Sequence, residues 1–199
     1  ALQQAIADQA VLRARGVDKV LSVNISGRSL SNPEFCEFAL GMVRASGSRL
    51  CFEVTETAII SDPAAAMSSI AAFRAAGIRI SIDDYGSGLS SLSYLKQIAA
   101  DEIKLDKSLL GDLTRCARDR LILKSTIDLA HGLGMSVVAE GVEDEASLAV
   151  LSTMGCDSVQ GYVISRPASL ERLIQLCRSI KPADANHLPR LPKLRPFGN

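Results

Sequence analysis

Polar and charged residues recur along this 199-residue chain near the ends of short β-branched or apolar runs: Asn24, Glu53, Asp83, Lys104, Glu140 and Gln160, spaced 29, 30, 21, 36 and 20 residues apart. Asp84 and Asp106 stand beside two of them. If the runs are parallel strands, their carboxyl ends share one rim, and Asn24, Glu53, Asp83, Asp84, Lys104, Asp106 and Glu140 all face one mouth. Carboxylates gathered a few ångström apart raise each other's pKa, so such a set calls for a cation among them. Oxygen donors, here carboxylates plus one amide, suit hard cations such as Mg²⁺ or Mn²⁺ and suit soft metals poorly.

Neighbouring strand residues point to opposite faces, yet the twist at a strand's end lets Asp83 and Asp84 both reach inward, and one of them can bridge two ions. Taken alone, an Asp-Asp pair serves equally well in a turn or as a helix N-cap. Convergence from five strands favours the metal. Lys104 has two readings: an ion-pair partner for Asp106 or Glu140, or a compact charge that orients water or a phosphate oxygen. Glu56 and Glu143 follow Glu53 and Glu140 by three residues and either hold loops through hydrogen bonds or are solvated. The segment YGSGLSSLSYL at 85–95 offers a tight loop beside the acids, a candidate gate or coupling element.

The elements that must position these groups are short. Strand candidates cover 19–26, 49–56, 78–84, 101–106, 135–143 and 157–165, with Ala- and Leu-rich helical stretches between them and an amphipathic helix over 1–15. A spacing close to the roughly 30 residues of one βα unit implies a parallel sheet, because parallel neighbours need a helical crossover. An open doubly wound sheet and a closed (β/α)8 barrel compete. Neither G-x-G-x-x-G nor G-x-x-x-x-G-K-[ST] occurs, so the barrel is favoured. Only six strands are found, which leaves the barrel about two units short at its front. A six-strand remnant would expose two parallel edges, so this stretch is expected to need strands from a preceding segment or a second chain. The barrel portion is assigned to residues 1–180. Residues 181–199, with four of the seven prolines, four basic side chains and one acid, form a flexible basic tail.

Charge balance is even, 22 Lys+Arg against 22 Asp+Glu, so the basic surplus that holds DNA or RNA is missing. The 47% hydrophobic content argues against disorder. Five widely spaced cysteines without a C-x-x-C pair read as buried thiols of a reducing compartment. With no secretory signal and no apolar run of membrane-spanning length, a cytoplasmic protein is expected. His131 and His187 are isolated and read as surface or packing residues.

Six segments then carry a family likeness. VNIS at 23–26, FEVTET at 52–57, IDDYGSGLSSLSYL at 82–95, IKLD at 103–106, VVAEGVE at 137–143 and QGYVISRP at 160–167 resemble, in order, the successive motifs of the EAL domain. The resemblance implies a TIM-like (β/α)8 barrel that hydrolyses one phosphodiester of cyclic di-GMP to linear pGpG with two Mg²⁺ or Mn²⁺ ions. On this sequence it implies Asn24, Glu53, Asp83, Asp84 and Glu140 as metal ligands, with Asp83 the bridging candidate. Lys104, Glu140 and Asp83 would form the catalytic set, Lys104 positioning the attacking water. Gln160 would lie near Lys104 or near the metals, and Gln160 and Lys104 would contact the substrate. Glu56 would anchor the 84–91 loop, and Asp106 and Glu143 would support the site from behind. A homodimer through the loop and helix after Asp84 follows from the same likeness, as does an upstream sensory or GGDEF-type domain. The family's Glu-Ala-Leu motif and its first-strand Gln have no counterpart here, which matches the two-unit deficit. A non-catalytic module that binds cyclic di-GMP or a protein partner is the alternative expectation.

Overall fold

Short β-branched runs closed by helix-starting residues dictate the architecture, and a computed structural model describes it for residues 1–88 and 95–179. In chain order the elements are α1 (Leu2–Ala14), β1 (Leu21–Asn24), α2 (Gly27–Leu30), α3 (Pro33–Ser46), β2 (Leu50–Thr55), α4 (Glu56–Ser61), α5 (Pro63–Ala75), β3 (Arg79–Tyr85), β4 (Glu102–Leu105), α6 (Lys107–Leu110), α7 (Ala117–Gly132), β5 (Ser136–Glu140), α8 (Glu145–Thr153), β6 (Ser158–Gln160) and α9 (Leu170–Ser179). The chain leaves several strands straight into a helix through an N-cap. Ser26, Thr55 and Asp106 accept hydrogen bonds from the first-turn backbone of α2, α4 and α6, and Asp144 does so for α8.

Among the described residues the six strands are all parallel and lie in the order β1-β2-β3-β4-β5-β6. An order without reversal has no topological switch point, which separates this sheet from the doubly wound alternative. The sheet curls as an incomplete barrel with the helices on its outside. Among the described residues β1 and β6 are its edges.

Register sorts the two faces. Phe52, Val54, Ile80, Ile82, Ile103, Leu105, Val137 and Ala139 point outward and are buried under the helices, with Phe52 and Phe73 meeting edge to face at 4.9 Å. The intervening residues, Asn24, Glu53, Ser81 and Glu102 side by side with Lys104 and Glu140 beyond, line the inner face. One buried polar residue ties α1 to two strand entries. The Gln9 amide Nε2 donates to the Lys19 and Arg49 carbonyls at 2.8 and 2.6 Å, and its Oε1 accepts from the Arg49 N–H at 2.7 Å. A small apolar group of Leu12, Val17 and Ile174 joins α1 to α9.

The strands are shorter than the sequence suggests, most of all the last, where 157–165 shrinks to Ser158–Gln160. At Gly161 the chain runs against the Val142 backbone so closely that a Cβ would collide with it, and Val163 N–H donates to the Val142 carbonyl at 3.1 Å. That contact folds the β-branched stretch into a turn. His131 is an exposed partner of Asp157 at 2.8 Å, and all five cysteines are free thiols, with Cys36, Cys51 and Cys156 buried as expected but Cys116 and Cys177 only partly so. His187, the 181–199 tail and positions 89–94 of the loop after Asp84 lie outside the described residues. Among the described residues no helix is long and apolar enough to cross a membrane.

Candidate functional site

Four neighbouring strands deliver one charged side chain each to the same point. Lys104 on β4 forms ion pairs through Nζ with Glu53 Oε2 of β2 at 3.2 Å, with Asp83 Oδ1 of β3 at 2.9 Å and with Glu140 Oε1 of β5 at 2.7 Å. The group is nearly dry: Lys104 is 4% exposed, and Glu53 and Asp83 are 8% each. Three carboxylates around one ammonium leave a residual negative charge, so the cluster attracts a further cation.

Burial by itself would lower the Lys104 pKa, but hydrogen bonds to Glu140 and Asp83 and the charge of Glu53 outweigh it and raise the pKa, so the side chain stays an ammonium. Burial pushes Glu140 up, against the pull of Lys104 and with help from Asp83 and Glu53. Asp84 is raised too, by burial first and then by Asp83 and Asp106.

Adjacent residues reach the same side because β3 kinks at Asp84. Asp84 has φ +55°, in the left-handed region that Asp tolerates better than most residues, and the β3–β4 register slips between Ile82 and Tyr85. The Asp84 N–H donates to Asp83 Oδ1 at 3.1 Å, which fixes the kink. One carboxylate oxygen each of Asp83, Asp84 and Glu140 then lies within 4.8 Å of the other two. These donors are all hard oxygens and carry surplus negative charge, so the residues fit Mg²⁺ or Mn²⁺.

The remaining candidates sit around this centre. Asn24 is exposed and level with Glu53 across β1–β2, and Gln160 is exposed and level with Glu140 across β5–β6. Glu56 opens α4 and is half-buried, and after burial its charge is the next cause of the raised Tyr85 pKa. Glu143 pairs with exposed Lys107. Asp106 corrects one expectation: it accepts from the Ser108 N–H at 2.9 Å as the cap of α6, and hydrogen bonds from Ser108 hold its carboxyl below the usual range, so Lys104 pairs with Glu140 and not with Asp106.

Sequence reasoning missed the pairing of Lys104 with Glu53 and Asp83, although strand alternation puts all three on one face. It also missed Ser81, whose fully buried hydroxyl has no hydrogen-bond partner among the described residues and stands between Glu53 and Glu102. Arg166, stacked 4.3 Å over the exposed Tyr162 ring beyond Gln160, carried no signal beyond its place in QGYVISRP.

Comparison with known proteins decides the family. The EAL domain profile matches residues 1–167. This chain belongs to the EAL domain family. It is 34% identical over 175 residues to the cyclic di-GMP phosphodiesterase PA2567 of Pseudomonas aeruginosa, covering 86% of this chain and 30% of that protein. The crystal structure of the Mycobacterium smegmatis DcpA EAL domain superposes with a TM-score of 0.83 at 32% identity, covering 89% of this chain and 82% of that one. The MucR phosphodiesterase of P. aeruginosa, in its cyclic di-GMP complex, gives 0.78 at 31%, covering 86% and 78%. Across eight curated relatives the EAL chain spans 18% to 30% of their length. PA2567 and NbdA of P. aeruginosa, two of these relatives, are named cyclic di-GMP phosphodiesterases.

Proposed function

We propose that this EAL chain is part of a metal-dependent phosphodiesterase that opens cyclic di-GMP to linear pGpG. The observation that carries the reading is the buried Lys104 ammonium held among Glu53, Asp83 and Glu140, with Asp84 turned toward the same oxygens. In the hydrolysis, a water oxygen bonds to phosphorus, the P–O3′ bond breaks, and the freed 3′-oxygen takes up a proton. Asp83, Asp84, Glu140, Glu53 and Asn24 would hold Mg²⁺ or Mn²⁺, and the bound ions would lower the pKa of water and balance charge on the phosphate.

Lys104 supplies a fixed positive charge. Its three carboxylate partners and its burial hold Nζ in one place, so it can orient water or a phosphate oxygen with little reorganisation. Asp83 connects the ammonium to the rest of the acidic set, and Glu140 does the same from the opposite strand. Gln160, beside Glu140 at the rim, would contact the dinucleotide. Dimerisation through the loop after Asp84 belongs to the same reading, and positions 89–94 of that loop lie outside the described residues.

The test is turnover by the intact protein with Mn²⁺ or Mg²⁺, following pGpG by chromatography. Asp83→Asn should reduce the rate at least a hundredfold. Tight binding of cyclic di-GMP without any pGpG from the wild type would replace this reading with a receptor role.

A further inference from the structure

We propose that Lys104 is the resident counter-cation of the carboxylate cluster and that its ammonium and a divalent ion contend for the same oxygens, so that Lys104 sets how tightly the site takes the ion. The proposal rests on the metal-dependent reading above. The Lys104 ammonium stands against three carboxylates, Glu53, Asp83 and Glu140, at 2.7 to 3.2 Å. Asp83 and Glu140 also belong to the set that gathers with Asp84. Two of the three carboxylates gathered within 4.8 Å of one another are therefore anchors of Lys104.

Screening by water is weak at this point, because the Lys104 and Glu53 side chains are only 6% and 9% exposed. A divalent ion drawn to Asp83 and Glu140 either displaces the ammonium or shares carboxylates with it at a separation where like charges repel strongly. The lysine stem enters from β4, between the strands that carry Asp83 and Glu140, so it cannot swing away without leaving its partners. Lys104 thus holds the acids together while opposing the ion they are suited to.

Titration calorimetry with Mn²⁺ alone, on the intact chelator-stripped protein, tests this directly. Lys104→Met, close to isosteric and uncharged, should bind Mn²⁺ at least tenfold more tightly than wild type. The same variant should melt lower without ions and gain more in Tm from Mn²⁺. Equal or weaker Mn²⁺ binding by the variant, with wild type still binding, overturns the proposal and leaves the metal-dependent reading standing. Absence of Mn²⁺ binding by both proteins overturns the two together. Should the variant not fold, wild type labelled with ¹⁵N-lysine decides. Exchange of the Lys104 ammonium protons with water should quicken as Mg²⁺ saturates the site, and an unchanged rate at saturation overturns the proposal, including the case where the lysine acts only as a distant charge.

Discussion

Replacing Gln9 by Leu isolates the contribution of one buried amide to the placement of the site. Gln9 is fully buried and makes three hydrogen bonds of 2.6 to 2.8 Å, to the Lys19 carbonyl and to both backbone groups of Arg49. The Arg49 carbonyl keeps a second partner, the Leu21 N–H at 3.3 Å, so the substitution strands the Arg49 N–H and the Lys19 carbonyl. Each stranded buried group costs about 1–3 kcal/mol, and Leu fills much the same volume, so no large cavity contribution is added. Both groups are partly buried and water reaches them in part, which places the expected loss near the lower half of that range, about 3 kcal/mol in total. Gln9→Glu should cost more at pH 7, because a carboxylate then faces two carbonyl oxygens. Its folded pKa would be raised above the unfolded value, so the penalty should be absent below the unfolded pKa and grow as pH rises through the folded one. Urea midpoints of the intact protein give the energy, and hydrogen exchange of the Arg49 amide gives the place. A loss under about 1 kcal/mol with Arg49 still protected would refute the reasoning. Arg49 immediately precedes β2, and Glu53 stands four residues further along, so the Leu variant should also weaken Mn²⁺ binding.

Three further outcomes follow from other parts of the structure. Asp84→Asn and Asp84→Ala should both weaken Mn²⁺ binding in calorimetry, but at φ +55° only Ala should add a backbone penalty, about 1 kcal/mol lower stability than Asn in urea titrations. Gly161→Ala, whose Cβ would meet the Val142 backbone, should lower Tm by several degrees and reduce turnover, because the same contact holds the Gln160 rim beside Glu140. Burial pushes the Cys51 and Cys156 thiols up to about 12 and about 11, so both should resist alkylation at pH 8 in the folded protein and react only on unfolding, as read by mass spectrometry.

Much of the site was legible because each strand writes its two faces into alternate residues. Phe52 and Val54 bury outward and leave Glu53 facing in, Ile82 leaves Asp83, and Ile103 and Leu105 leave Lys104. A period of two together with the spacing of the βα units was enough to place these groups on one rim. Three things escaped that logic, each for its own physical reason. Gln9 acts on groups 10 and 40 residues away, so no local pattern reports it. The stretch after Gln160 is β-branched enough for a strand, but its backbone is claimed by Val142 from the neighbouring loop.

The partner of Lys104 is the most instructive of the three. Alternation puts Lys104 and Asp106 on the same side, which made them plausible partners. Asp106, however, lies one residue past the end of its strand, where its side chain gains more by capping the exposed N–H of a new helix than by facing a crowded acidic rim. The cap removes Asp106 from competition, and Lys104 is left with donors for acids on three different strands. The helix that starts at Lys107 therefore determines which carboxylates surround the ammonium, and a local capping preference reaches the chemistry of the rim.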